Sequence, residues 1–267
     1  MIRPPHRPTI LAVAGTDSSG GAGLAADLLA AEALGARLRW AVTAVTAQTD
    51  RAVGMVQGIP PALVRQQIEM ALSDSDVRGA KLGMLGTAAV AGAVADALEE
   101  FAARGSVVLD PVLMSSSGAL LLDDAGTAVL IERLLPMAAL VTPNLPELRH
   151  LANLLGAGPT ASVAQQAAFL MRAGARAVLV KGGHGEGSDA EDLLFQRHRS
   201  LPQVFASRRL NAQMRGTGCR LATAITVRLA AGDGLAAACS AAKAYLAGLL
   251  TSVAAQVQTN VVIGTAI

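Results

Sequence analysis

The chain has 267 residues, of which 52% are hydrophobic, 16% charged and only 2% aromatic, with a formal net charge of +2. That composition excludes a disordered chain and allows one large α/β core; it supplies neither a strongly basic field nor stacking platforms for nucleic acid, so a small molecule is the expected partner. Cys219 and Cys239 lack CxxC spacing, and His6, His150, His184 and His198 lack metal-ligand spacing, so no disulfide framework or zinc site is expected and a reducing, cytoplasmic setting fits.

Near the N-terminus, Arg3 and Arg7 precede the apolar run 10–14, which is too short for a signal-peptide core and breaks into a glycine loop. No uncharged stretch has the length and apolarity of a membrane span, so no membrane partner is expected. Apolar runs that read as buried strands, 9–14, 38–47, 80–83, 107–110, 138–142 and 177–180, alternate with Ala-rich helical stretches at about 24–34, 62–72, 88–103, 125–134, 146–155, 163–173, 218–230 and 235–253. Such alternation implies βαβ units and a largely parallel sheet. After a polar loop over 186–192, the runs 193–195 and 204–205 read as antiparallel edge strands. No repeat, linker or shift in composition divides the chain, so residues 1–267 are expected to form a single domain.

In an open parallel sheet, ligands bind beyond the carboxyl ends of the strands, so the polar residues after each apolar run are site candidates. These are the glycine loop from Gly15 through Gly20 and Gly21 to Gly23, then Gln48, Met84, Asp110, the Asn144 to Glu147 segment, Lys181 and His184. Two carboxylates, an amide and a lysine on one edge suit phosphoryl transfer with magnesium. Duller readings stand beside these. Asn144 and Glu147 have the spacing of a helix capping box, Met84 suits a core position, and His184 is equally a loop residue. The glycine loop is no P-loop, because Gly21 stands where the lysine belongs. Gly21-Ala22-Gly23 with Ala26 matches a dinucleotide fingerprint only weakly, lying several residues past its strand.

Gly216-Thr217-Gly218-Cys219 opens the helix carrying Leu221, Ile225 and Leu229 at helical spacing. Unpaired N–H groups and the positive end of the helix dipole there favour phosphate oxygens. The same field is expected to lower the Cys219 pKa, making the thiol a candidate base; the alternative is a glycine-rich connection with a structural cysteine. Arg208, Arg209, Arg215 and Arg220 bracket this cradle and are expected to raise the local positive potential.

The strings GTDSSGGAGLAADL, TAVTAQT, KLGMLG, VVLDPV, TPNLPE, KGGH and GTGC, in that order, resemble the hydroxymethylpyrimidine and phosphomethylpyrimidine kinases of thiamine biosynthesis, within the ribokinase-like superfamily. The resemblance implies a ribokinase-like three-layer α/β/α sandwich with a mostly parallel central sheet. It also implies ATP-dependent phosphorylation of 4-amino-5-hydroxymethyl-2-methylpyrimidine and of its monophosphate, with magnesium. By similarity, Gln48 and Asp27 meet the aminopyrimidine, Met84 packs on its ring, and Gly15, Gly20 and Gly21 let backbone approach it. Asp110 and Glu147 organise magnesium, Asn144 and Lys181 contact nucleotide phosphates, Gly216, Thr217 and Gly218 form the anion hole, and Cys219 is the base. A homodimer is implied, through a sheet edge near Leu193 and Val204.

Departures from the family pattern are Ser18 for proline, TAQTD for TAQNT, Arg215 for histidine, Arg220 for threonine, and Ser116 and Ala119 for lysine and aspartate. Taken as losses near the phosphates, they place the second phosphorylation in doubt. Pyridoxal kinase is the rival activity, hydroxyethylthiazole kinase a weaker one, and a non-catalytic pyrimidine sensor the rival of another class.

Overall fold

The computed structural model describes residues 7–264, apart from 75, 116–117, 184–186 and 211–213, with side chains described to residue 256. His184 and Ser116, singled out above, lie outside the described residues. At its centre is β1 (Thr9–Ala14), whose six residues are all buried because both faces of a parallel strand are covered. From β1 the sheet grows in both directions. On one side lies β2 (Arg37–Val42); on the other follow β5 (Val77–Leu82), β6 (Ser106–Leu109), β7 (Leu140–Val141) and β8 (Ala177–Val180), all paired in parallel. Then β9 (Asp189–Gln196) and β10 (Gln203–Arg208) add antiparallel, completing the order β10-β9-β8-β7-β6-β5-β1-β2. Of the two expected edge strands, only β10 is at the edge; β9 is hydrogen-bonded on both sides.

Helices cover both faces. On one pack α2 (Pro61–Ser73), α3 (Ala88–Arg104), α4 (Asp124–Val129), α6 (Leu145–Leu154) and α7 (Val163–Arg172), through a cluster that includes Val64, Ile68, Leu98, Leu148 and Leu170. On the other pack α1 (Gly23–Ala33), α8 (Thr217–Ala230) and α9 (Leu235–Gly264), with Ala31, Ile225 and Ala242 among the contacts. The result is a three-layer α/β/α sandwich. After α4 the chain makes a π turn at Leu130–Leu134 before the short α5 (Leu135–Met137), a wider turn placed just before Pro136, which has no N–H to donate.

Two expectations change. The run 38–47 is not one strand. It breaks at Thr43, whose hydroxyl donates to the Met84 carbonyl at 2.6 Å, and continues as β3 (Ala44–Gln48). This strand leaves the sheet to pair antiparallel with β4 (Val53–Gly58), forming a two-stranded ribbon beyond the carboxyl end of β2. β4 was not expected at all; five of its six residues are exposed, so no core imposes a hydrophobic pattern on it.

The second change concerns α9. Among the described residues it is the one helix, over Leu235–Gln256, long and apolar enough to cross a membrane by length and composition. Here its Ala238, Cys239 and Ala242 lie in the core, and Lys243 pairs with buried Asp192 of β9 at 2.9 Å.

Candidate active site

The carboxyl ends of β1, β5, β6, β7 and β8 converge with the first turn of α8, and the groups gathered there come from every part of the chain. Asp110 follows β6 directly and is buried, its Oδ1 accepting from the Lys181 ammonium at 2.6 Å and from the Thr142 hydroxyl at 3.1 Å. Lys181 follows β8. Its backbone bridges in parallel to Asn144, and its N–H donates to the Pro143 carbonyl at 2.9 Å, so the ends of β7 and β8 stay in register where the polar groups begin.

Asn144 and Glu147 form a reciprocal capping box on α6: the Glu147 N–H donates to Asn144 Oδ1, and the Asn144 N–H to Glu147 Oε2, each at 2.8 Å. The structural reading of that pair therefore holds, and the box also aims Glu147 Oε2 to 3.9 Å from Lys181 Nζ. Burial pushes the Glu147 carboxyl up to about 7; Lys181 and the Asn144 N–H pull it down, and neighbouring Asp110 pushes it further up. Burial works against the Lys181 ammonium, but Asp110 and Glu147 more than offset it and hold its pKa above the ordinary value.

Gly216, in the left-handed conformation at φ 69°, caps α8 where a side chain would collide with the Gly21 carbonyl of the glycine loop. Gly218 sits deeper. A Cβ on it would lie 3.2 Å from Lys181 Nζ and 3.7 Å from Asp110 Oδ2, so the N-terminus of α8 abuts the charged pair with no side chain between. Cys219 is the next residue. Burial is the largest influence on its thiol and pushes the pKa above the ordinary value; Asp27 and Asp110 add to the rise, while Lys81 and the Gly23 N–H oppose it. The direction is opposite to the expected lowering, and desolvation of the thiolate is its main cause.

Gly15 lies against Met84, so that a Cβ there would stand 2.9 Å from the methionine sulfur. Gln48, at the end of β3, is half-buried; its Oε1 accepts from the Thr46 hydroxyl at 3.2 Å, and the Ser18 hydroxyl links to its backbone N–H and carbonyl at 2.8 and 2.9 Å. Gly20 and Gly21 form the turn beside them. Ring-side candidates therefore border the mouth of α1, and phosphate-side candidates border α8.

Asp27 lies close enough to Cys219 and Asp110 to act on them through its charge, but it is not open to a solute. It is 0% exposed, both carboxylate oxygens accept from Lys81 Nζ at 2.9 Å, and Oδ1 also accepts from the Thr223 hydroxyl at 2.7 Å. The expectation that it meets substrate is corrected: an enclosed carboxylate saturated by an internal ammonium presents nothing to a solute. Lys81, also 0% exposed, is the residue that sequence reasoning passed over, and its signal was a lysine inside the apolar run of β5.

Among the described residues, of the four arginines only Arg215 is paired with carboxylates, Asp17 and Asp50; Arg209 and Arg220 meet neutral carbonyls and keep their charge. Arg209 donates to the carbonyls of Gly182, Gly183, Gly187 and Asp189, and Arg220 reaches the Ala26 carbonyl at 3.4 Å, while Arg215 is engaged with the glycine loop and the ribbon.

Asp110 and Glu147 fit a magnesium ion as a partly hydrated guest. Magnesium keeps several waters and takes one or two carboxylates plus phosphate oxygens, and these two buried carboxylates are of that kind. Burial is the main cause of the raised Glu147 pKa and the nearby Asp110 charge a smaller one; a cation there would favour the ionised form against both.

Residues 17–264 match the family model for phosphomethylpyrimidine kinase. The chain is 44% identical over 236 residues to the hydroxymethylpyrimidine/phosphomethylpyrimidine kinase of Rhizobium meliloti, covering 88% of each chain. In three dimensions it is similar to the phosphomethylpyrimidine kinase of Clostridium difficile, with a TM-score of 0.77, 30% identity and coverage of 91% of this chain and 99% of that one. It is also similar to the pyridoxal kinase of Staphylococcus aureus in complex with AMP-PCP and pyridoxal, with a TM-score of 0.78, 29% identity and coverage of 91% and 88%. A family model matched over most of the chain and a relative at 44% identity together show that the chain is a member of the phosphomethylpyrimidine kinase family.

Proposed function

We propose that this chain transfers the γ-phosphoryl group of ATP to the hydroxymethyl group of 4-amino-5-hydroxymethyl-2-methylpyrimidine, and then phosphorylates the resulting monophosphate, in the thiamine biosynthetic route of the cytoplasm. The observation that carries the reading is the approach of Gly218 to the Lys181–Asp110 pair, which brings the α8 amides, a cation and a carboxylate around one point beside Cys219.

Each group has a task there. Lys181 and Asn144 hold nucleotide phosphates, and the N–H groups of Thr217 and Gly218 face the charge on the transferring group. Gln48 reads the aminopyrimidine edge, with Met84 against the ring and Gly15 leaving room for it. Magnesium, held by Asp110 and Glu147, supplies neutralisation of phosphate charge when bound. Cys219 accepts the alcohol proton. Only the thiolate can do so: with the pKa pushed up the ionised fraction is small, but each thiolate is a stronger base than an ordinary one and takes the proton as the phosphoryl group arrives.

The test is coupled ADP release with a panel comprising the pyrimidine alcohol, its monophosphate, pyridoxal and hydroxyethylthiazole. Turnover of the first two supports the reading. Tight pyrimidine binding with no turnover of any member refutes it and favours a sensor. A pyridoxal kinase activity is the second reading, favoured by the fold likeness to the staphylococcal enzyme; Gln48→Ala separates the two, because pyridoxal has no amino group to meet the Gln48 amide and its reaction should suffer far less.

A further inference from the structure

Four of the positions at which this chain departs from its family's pattern, Ser18, Thr49, Asp50 and Arg215, are scattered along the sequence but adjacent in the fold. Arg215 precedes α8 and is largely covered. Its Nη1 donates to the Ser19 hydroxyl at 2.6 Å, the Thr49 carbonyl at 3.2 Å and Asp50 Oδ1 at 3.3 Å, while Nη2 lies 3.1 Å from Asp17 Oδ2. Asp17 is buried and organises the glycine loop, accepting from the N–H and hydroxyl of Ser19 at 2.9 and 2.7 Å and from the Ala22 N–H at 2.9 Å. One guanidinium therefore ties together the glycine loop, the ribbon and the approach to α8.

Gln48 lies inside this arrangement. On one side its backbone is pinned in both directions by the Ser18 hydroxyl; on the other, the next two residues, Thr49 and Asp50, are held by Arg215. Serine at 18 supplies a hydroxyl that proline lacks, and arginine at 215 supplies a planar fork of donors that stays charged at any working pH, where histidine has two ring nitrogens and a variable charge.

We propose that Arg215 is a positioning residue for ring recognition: with Ser18, Thr49 and Asp50 it clamps the β3–β4 ribbon onto the glycine loop and fixes Gln48 before substrate arrives. The role in recognition rests on the kinase reading of the site; the clamp itself does not. Arg215 and Asp50 are partners through their side chains, Thr49 offers Arg215 its carbonyl, and Ser18 acts on the Gln48 backbone between them.

The test is amide hydrogen exchange over residues 44–58 in the full chain, alongside steady-state kinetics. In Arg215→Ala the ribbon should exchange about tenfold faster or more, the scale of a lost charge-assisted hydrogen bond, with β1 unchanged. The KM for the pyrimidine alcohol should rise about tenfold while the KM for ATP stays within about twofold, and Arg215→Lys should recover part of both effects. An unchanged ribbon, or equal acceleration in ribbon and β1, overturns the clamp. A loosened ribbon with unchanged pyrimidine KM overturns its role in recognition. Should Arg215→Ala fail to fold, Asp50→Asn, at a side chain 80% exposed, should still speed exchange in the ribbon alone, and no change there is equally fatal. If the wild-type chain turns over no pyrimidine yet Arg215→Ala loosens the ribbon, the clamp is upheld and the kinase reading falls.

Discussion

Lys81→Met tests whether the Asp27–Lys81 pair is internal architecture. Both side chains are 0% exposed, and Asp27 keeps only the Thr223 hydroxyl once the ammonium is gone. A buried carboxylate left without its counter-charge is destabilising by about 3–5 kcal/mol. Its escape is to take up a proton, and holding a carboxyl of ordinary pKa 3.8 neutral at pH 7 costs about 4 kcal/mol. The two figures agree, and they amount to a large share of the stability of a domain.

The proton route adds a sign. Burial already holds the Asp27 pKa above its ordinary value in the wild type, and losing Lys81 raises it further, so in the variant its contribution is most favourable below pH 3.8 and is lost as pH rises. The deficit relative to wild type should therefore shrink, by at most about 1.4 kcal/mol per pH unit, on going from 7 towards 4. Urea unfolding at pH 5, 6 and 7 measures it. Adding Asp27→Leu to Lys81→Met removes the stranded carboxyl, and the double variant should recover most of the stability at pH 7. A deficit below about 1 kcal/mol at pH 7, or one independent of pH, would refute the argument. A double variant that is stable but has lost pyrimidine binding alone would return Asp27 to the substrate site.

Cys219→Ala should lower kcat by about 100-fold or more with nucleotide affinity nearly unchanged, measured by ADP release and nucleotide titration; an unaltered rate removes the thiol from the mechanism. With the thiol pushed up, the wild-type rate should keep climbing with pH beyond the ordinary thiol range, and that rise should be absent from the residual activity of the variant. Because Glu147 titrates at about 7, protonation as pH falls through that value should weaken the magnesium requirement's carboxylate partner. An acid limb near neutrality is expected, moving to lower pH as magnesium is raised and vanishing in Glu147→Gln. A homodimer predicts sedimentation at about twice 27.0 kDa, reduced to monomer by Val204→Asp on the β10 edge; if Trp40→Asp does so instead, the partner sits on the opposite edge, where Trp40 of β2 is 48% exposed.

The core sheet was legible because each buried strand is a short apolar run whose end is marked by glycine or a polar residue, as at Leu82-Gly83 and Leu109-Asp110. The site was legible for a related reason: in a parallel sheet the residue after the strand is the residue at the ligand-binding edge, so Asp110 and Lys181 could be placed together while 71 positions apart. The ribbon offered no such handle. Its residues face solvent, and what directs β3 out of the sheet is a hydroxyl on a carbonyl 41 residues away. The direction of the Cys219 shift was misread because the helix field is visible in sequence, whereas burial of the thiol is a property of the packed chain.

Asp27 shows the same limit from inside a motif. The carboxylate belongs to a recognisable string, yet its partners stand 54 and 196 positions away, and only their meeting decides that it is internal. The departures from the family pattern show it again. Taken singly, Ser18, Thr49, Asp50 and Arg215 look like losses near the phosphates; together they gather in one hydrogen-bonded cluster around Gln48. On the proposed reading of Gln48 as the ring contact, they add nothing to the doubt about phosphorylating the monophosphate. What remains of that doubt lies at Arg220 and after Asp110, where the Ala119 N–H donates to the Ser115 hydroxyl at 2.9 Å. The lysine and aspartate common in that loop are lacking, which predicts that any deficit in the second phosphorylation follows from positions 116 and 119. Restoring lysine and aspartate there should raise turnover of the monophosphate relative to the alcohol, and reverting Arg215 to histidine should leave that ratio where it was.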